Sequence, residues 1–246
     1  MYNPETSDES YLYQNQQYLW GLCPKGSIMN VTKFSMRDST QLRLGVDVDN
    51  VLADSARVGL GIINRARGGI TALTKEDITG YPFHKSPKLQ HHGISQAEVS
   101  AALDKVWRDY HREIKLVDRR APDVLSNLIR AGAYVEIITT MGARDHSMRP
   151  NLYDWLDYHK IPRNEVTFTE NSEQKVQRPL HTIIDDQEGL ASMLASLGRI
   201  GFLYDAPWNR GFAASLKANP DPQIFAAGNW MKVGECAKDI MHALRS

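Results

Sequence analysis

Leu42-Arg43-Leu44-Gly45-Val46-Asp47-Val48-Asp49-Asn50-Val51-Leu52-Ala53-Asp54-Ser55 decides how this chain is read. An apolar run, Leu42 to Asp47, ends in two carboxylates one residue apart, and a turn and a helix follow. Side chains alternate along a strand, so Asp47 and Asp49 project the same way if the extended backbone continues past its end. Two like charges that close are costly unless a cation or a shared proton compensates them. Taken alone, the D-x-D pattern is equally at home in a solvated loop or in a metal-holding glycosyltransferase.

Working outward, the pattern alternates between strand and helix. Ser55 to Arg67 reads as a helix with Asp54 or Ser55 as its N-cap, stopped by Gly68 and Gly69. Ser95-Gln96-Ala97-Glu98 fits a capping box. Behind it Val99, Ala102, Leu103, Val106, Trp107 and Tyr110 form the stripe of an amphipathic helix. Pro122 and Gly132 bracket a further helix. Tyr134 to Thr139 is the second strand. A helix follows over Asn151 to Tyr158, then a strand over Glu165 to Phe168. His181 to Ile184 is a fourth strand, running into Asp185-Asp186. Leu190, Met193, Leu194 and Leu197 mark a helix, Ile200 to Tyr204 a fifth strand, and Ala237 to Leu244 a closing helix.

This alternation predicts an α/β fold with a Rossmann-like parallel sheet. A strand–helix–strand unit takes about 30 residues, yet 90 residues separate Asp49 from Thr139. The surplus reads helical, so a small helical cap is expected to leave the sheet just after the first strand. The expected division is a polar extension over 1–40, a core over 41–55 and 121–246, and the cap over 56–120.

Composition narrows the function. The 246 residues are 42% hydrophobic and 24% charged, the profile of a globular protein, and 29 basic residues balance 29 acidic ones. No global positive field argues for long nucleic acid. No apolar run nears the ~20 residues needed to span a bilayer. Cys23 and Cys236 have no metal-type spacing and imply no disulfide framework, so a cytoplasmic setting is expected. A homodimer is compatible with all of this.

In open parallel sheets ligands sit beyond the carboxyl ends of the strands. The polar residues collect there: Asp47 and Asp49 after the first strand, Thr139 and Thr140 after the second, Asp185 and Asp186 after the fourth, with Lys175 in the connection before it. These types suit phosphoryl transfer. A carboxylate attacks phosphorus, a second carboxyl trades protons, and a hydroxyl and an ammonium hold the phosphoryl oxygens. Clustered carboxylates suit Mg²⁺. A response-regulator receiver has its acidic pair first rather than last, and a D-x-D glycosyltransferase leaves Lys175 and Asp185-Asp186 unexplained.

The motifs Val46-Asp47-Val48-Asp49-Asn50-Val51, Ile137-Ile138-Thr139, Lys175 and Ile183-Ile184-Asp185-Asp186 resemble the haloacid dehalogenase superfamily. Three stretches, Asp47 to Ser55, Glu76 to Thr79 and Phe202 to Arg210, resemble its 5′(3′)-deoxyribonucleotidase-like (type C 5′-nucleotidase) branch. The resemblance covers about residues 42 to 245. It implies Asp47 as nucleophile, Asp49 as general acid/base, Thr139 as a phosphate ligand and Lys175 as a charge stabiliser. It also implies Mg²⁺ held by Asp47, the Val48 carbonyl and Asp185, with Asp49 and Asp186 as further candidates. Thr140, Asn209 and Arg210 would lie on the substrate side. The implied substrate is a small phosphorylated metabolite, foremost a nucleoside monophosphate. A sugar phosphate, a nucleic-acid end and a non-catalytic phospholigand-binding role stay open. Thr139-Thr140-Met141 and Arg120 depart from the family pattern. Tyr81, Phe83, Trp107 and Tyr110 are candidates to stack on a base, although Trp107 and Tyr110 sit on the apolar stripe and read as core. His91-His92 has no spaced partners for a metal.

Overall fold

The structure, a computed structural model, describes residues 40–245 and, as backbone, residues 18–23 and 27–32. Strands β1 (Tyr18–Cys23) and β2 (Ser27–Thr32) pair as an antiparallel ribbon apart from the main sheet. Both lie in the polar extension expected over 1–40, whose other residues before Thr40 lie outside the described residues.

The main sheet begins with β3 (Arg43–Val46). Helices α1 (Ser55–Ala66), α2 (Pro87–His91), α3 (Gln96–Asp109) and α4 (Ala121–Arg130) precede β4 (Tyr134–Thr139). Then α5 (Arg149–Tyr158), β5 (Glu165–Phe168), α6 (Ser172–Gln177), β6 (Thr182–Asp185), α7 (Glu188–Ser196), β7 (Ile200–Tyr204), α8 (Arg210–Ala218), β8 (Ile224–Ala227) and α9 (Trp230–Arg245) follow. The six strands lie in the order β5-β4-β3-β6-β7-β8, all parallel. From β3 the chain builds outward through β4 and β5, then crosses to β6 on the other side. The crevice at the carboxyl end of β3 is therefore the topological switch point where ligands bind in such sheets.

Period-two alternation buries both faces of the sheet. Val135, Ile137, Ile184 and Phe202 pack on one side against α4, α5 and α9. Ile138 and Ile183 face the other side, with Val176 of α6 and Leu190 and Leu194 of α7. The sixth strand, β8, and the helices α6 and α8 were not expected from sequence. Both α6 and β8 are short, and Pro220 and Pro222 obscure the approach to β8.

The segment between β3 and β4 is helical, as predicted. It has its own apolar cluster, in which Leu60 and Ile63 of α1 meet Ile78, Phe83, Leu89, Val99 and Ala102. The expected capping box holds: Ser95 Oγ accepts the Glu98 N–H (3.2 Å) and Glu98 accepts the Ser95 N–H (2.9 Å). Helix α3 does not stop at the insertion. Its later residues Val106 and Trp107 are buried in the main core, so one helix joins the two clusters.

Candidate active site

Register builds the site. Val46 of β3 pairs with Ile184 of β6, so the next residues, Asp47 and Asp185, emerge abreast from adjacent parallel strands. The Asp47 N–H donates to the Ile184 carbonyl at 2.9 Å and extends the ladder by one bond. Thr139 ends β4 on the other side of β3.

Short α6 then delivers Lys175. Its N-cap Asn171 accepts the Gln174 N–H at 2.9 Å. The Lys175 ammonium, 1% exposed, donates to Asp47 Oδ1 and Asp185 Oδ2, each at 2.8 Å. An ammonium carries three protons, so one is left for another acceptor. Arg178, close by in sequence, is committed to the buried Glu136 at 2.7 Å. Asp185 Oδ1 accepts the Gln187 N–H at 2.9 Å. Among the described residues, no protein donor holds Asp47 Oδ2.

Asp47, Asp185 and Asp186 each offer an oxygen within 4.8 Å of the others, and all three residues are buried. Burial raises Asp47 to about 7, against the pull of Lys175 and with the push of Asp185 and Asp49. Burial, then the charges of Asp185 and Asp47, holds Asp186 well above the usual carboxylate range. Three buried carboxylates face one ammonium. The surplus negative charge and the all-oxygen donor set fit a hard divalent cation such as Mg²⁺. Asp49 stands outside this cluster.

The Val48 carbonyl is engaged in the turn. It accepts the N–H groups of Leu52 (3.0 Å) and Ala53 (2.8 Å), which close the turn after the strand. Both lone pairs are thus occupied within the protein in this structure. Asn50 shapes the same turn. Its φ of 61° lies in the left-handed region that asparagine tolerates, and its Oδ1 accepts the Ala56 N–H at 3.1 Å in the first turn of α1. Asp54 is the N-cap residue of α1, as one of the two readings had it, but Asn50 supplies the side-chain bond. Asp54 is instead bound by Lys75 (2.9 Å) and Arg57 (2.8 Å).

Asp49 keeps an edge on solvent. Its Oδ1 accepts the Trp107 indole N–H at 2.8 Å. Burial raises its carboxyl, against the pull of the Ser55 hydroxyl and of the Trp107 indole, which favour the ionised form. Trp107 is itself fixed: it stacks edge-on against Trp155 at 5.8 Å, and Asn151 donates to its carbonyl at 3.0 Å. Sequence reading assigns Trp107 to the core, and it is there, but its polar end reaches the second acid of the D-x-D pair.

Thr139 is buried, and its Oγ accepts the Met141 N–H at 3.1 Å, which leaves its own O–H to donate elsewhere. Thr140 is exposed. Asn209 is buried and ties loops together. Its amide donates to the carbonyls of Asp186 and Tyr204 (2.8 Å each) and accepts the Ala206 N–H (2.9 Å). With both N–H donors spent, it fixes the loop carrying Asp186. Arg210 is exposed at the start of α8. From the insertion, Tyr81 reaches the carboxylates: its ring is 58% exposed, but burial of its hydroxyl, then Asp186, Asp185 and Asp47, push it up to about 12.

No family model matches the chain, and no curated protein does. Solved structures do. A phosphonoacetaldehyde hydrolase-like protein from Oleispira antarctica shares 12% identity over 84% of this chain and 95% of its own, with a TM-score of 0.55. Protein Tyrosine Kinase A (PtkA) of Mycobacterium tuberculosis shares 17% identity over 81% of this chain and 99% of its own, with a TM-score of 0.53. These likenesses show the fold. It is the parallel, Rossmann-like α/β fold expected from the alternation of strands and helices, and at such identities a shared fold says nothing of substrate. A haloacid dehalogenase-like family hydrolase from Xanthomonas campestris also matches, at 13% identity over 85% of this chain and 95% of its own. Its TM-score of 0.47 is too loose to argue from.

Proposed function

We propose that this protein is a Mg²⁺-dependent phosphomonoesterase that works through an aspartyl-phosphate on Asp47. Its substrate is a small phosphorylated metabolite, foremost a nucleoside monophosphate. One observation carries the reading: Asp47 and Asp185 stand abreast at the switch point, bridged by a buried Lys175 at 2.8 Å to each.

Asp47 Oδ2 attacks phosphorus and the ester P–O bond breaks, its electrons passing to the leaving oxygen. Asp49 gives that oxygen its proton. Raised by burial, the Asp49 carboxyl is suited to hold a proton for this step. Trp107 holds Oδ1, so the exchange falls to Oδ2. Asp49, now ionised, takes a proton from water, whose oxygen attacks the phosphoryl group. The bond to Asp47 breaks and inorganic phosphate leaves. The third Lys175 proton and the Thr139 hydroxyl donate to the phosphoryl oxygens and match their charge. Bound by Asp47, Asp185 and Asp186, a Mg²⁺ ion would supply the positive charge that offsets both carboxylates and phosphoryl oxygens.

The test is phosphate release from nucleoside 5′- and 3′-monophosphates and sugar phosphates, with Mg²⁺, with EDTA and with Asp47→Asn. Release is expected with Mg²⁺ only and lost in D47N by at least about a thousandfold, since the nucleophile is gone. No release from a folded protein that binds Mg²⁺ would overturn the reading.

A further inference from the structure

Beside the carboxylates lies a cavity of about 240 Å³, lined by Tyr81 of the insertion, by Asp186, Gln187 and Glu188, and by Trp208 and Asn209. Asp186 belongs both to this cavity and to the three-carboxylate cluster. A phosphate held at Asp47 therefore has its ester group beside this space. The walls are set. Phe83 packs on Trp208 with ring centres 4.7 Å apart and meets Tyr81 edge-on at 5.8 Å. Asn209 is spent on backbone. The formal charges on the lining, Asp186 and Glu188, are both negative, and among the described residues no lysine, arginine or histidine lines it. Lys75, 5.6 Å from the Trp208 ring centre, is paired with Asp54.

We infer that this cavity seats the leaving group, that it takes neutral or cationic leaving groups and rejects anionic ones, and that Glu188 sets the discrimination. The inference rests on the phosphomonoesterase reading and deepens it. A carboxylate or second phosphate placed here meets the like charge of Glu188 with no basic side chain beside it among the described lining residues, whereas a hydroxyl or ammonium meets an acceptor. The aromatic faces of Tyr81 and Trp208 add flat apolar surface for a ring.

Phosphoethanolamine and phosphoglycolate test it: both are two-carbon phosphomonoesters, with opposite charge on the leaving group. A nucleoside 5′-monophosphate serves as the neutral case. In the Mg²⁺-loaded wild type, kcat/KM for phosphoethanolamine and the nucleotide is expected to exceed that for phosphoglycolate at least tenfold. Glu188 is exposed at the first turn of α7, so E188Q and E188K are not expected to disturb the core. E188Q should narrow the ratio and E188K should shift it toward phosphoglycolate by tenfold or more. Release with a preference for phosphoglycolate, or with a ratio that E188K leaves unchanged, would overturn this inference alone. No release from any of the three would overturn the phosphatase reading and this inference together.

Discussion

At the scale of the residue, the site is a balance of buried charge, and two side chains expose how it is held. Trp107→Phe keeps most of the apolar ring and removes the donor to Asp49 Oδ1. A hydrogen bond to a charged group contributes about 1.5–3 kcal/mol. We expect kcat to fall roughly tenfold to a hundredfold with KM little changed. The pH limb set by Asp49 should move upward, because the lost donor favoured the ionised form. A pH–rate profile beside wild type checks this, and an unmoved limb would remove Trp107 from the machinery. Lys175→Met leaves Asp47, Asp185 and Asp186 buried without their cation. Breaking such a pair costs about 3–5 kcal/mol. In the variant the folded carboxylates bind protons more tightly than the unfolded chain does, so stability falls as pH rises from the usual carboxylate range up through their raised values. Chemical denaturation should therefore show a deficit near pH 8 that shrinks toward pH 5; a deficit independent of pH would argue that the lost contacts are merely steric. Sequence made Asp47 and Asp185 legible because strand ends gather them regardless of side-chain detail, and Lys175, on α6 rather than at a strand end, was legible from its place in the motif order. It did not reveal Trp107, which is 58 residues from Asp49 and carries its donor on an apolar helical stripe. Nor did it reveal that the Val48 carbonyl is taken by the turn, since backbone bonding leaves no mark on residue type.

At the scale of the element, close approach of β7 and α7 sets the position of the loop that carries Asp186. A Cβ on Gly201 would lie 2.3 Å from the Ala191 carbonyl oxygen, a backbone atom that cannot swing aside. Gly201→Ala should cost about 1–3 kcal/mol, the typical penalty of overpacking. Gly211, in the first turn of α8, has nothing within 4 Å of such a Cβ, so Gly211→Ala should stabilise by about 0.4–1 kcal/mol. Thermal unfolding of the two variants should move in opposite directions, and a tolerated Gly201→Ala would mean that α7 shifts freely on the sheet. The long helices and the strands that alternate in type were readable because their periods are strong. Strand β8 was not, being four residues of mixed burial between Pro222 and a helix. Asp54 stands at the N-cap of α1, one of the two positions read from sequence, but its side chain is drawn into ion pairs by Lys75 and Arg57, while Asn50 reaches over from the turn to make the capping bond.

At the scale of the whole molecule, the insertion is wired into the sheet. Helix α3 contributes Val99 and Ala102 to the insertion's cluster and Val106 and Trp107 to the main core. Unfolding should thus be one transition, with hydrogen exchange in α1 and α3 protected to the same level as in β3 and β4. Earlier exchange throughout α3 would show that the insertion melts alone. No helix among the described residues is long and apolar enough to cross a membrane. The indole bond from α3 to Asp49 has one more consequence. Thermodynamic linkage is reciprocal. If a ligand that presses the insertion onto the sheet shortens that bond, it lowers the proton affinity of Asp49, and protonating Asp49 then loosens the ligand by the same factor. Binding measured calorimetrically in buffers of different ionisation enthalpy would register this as proton release, so that the helix transmits substrate contact to the acid as a change in its hold on hydrogen.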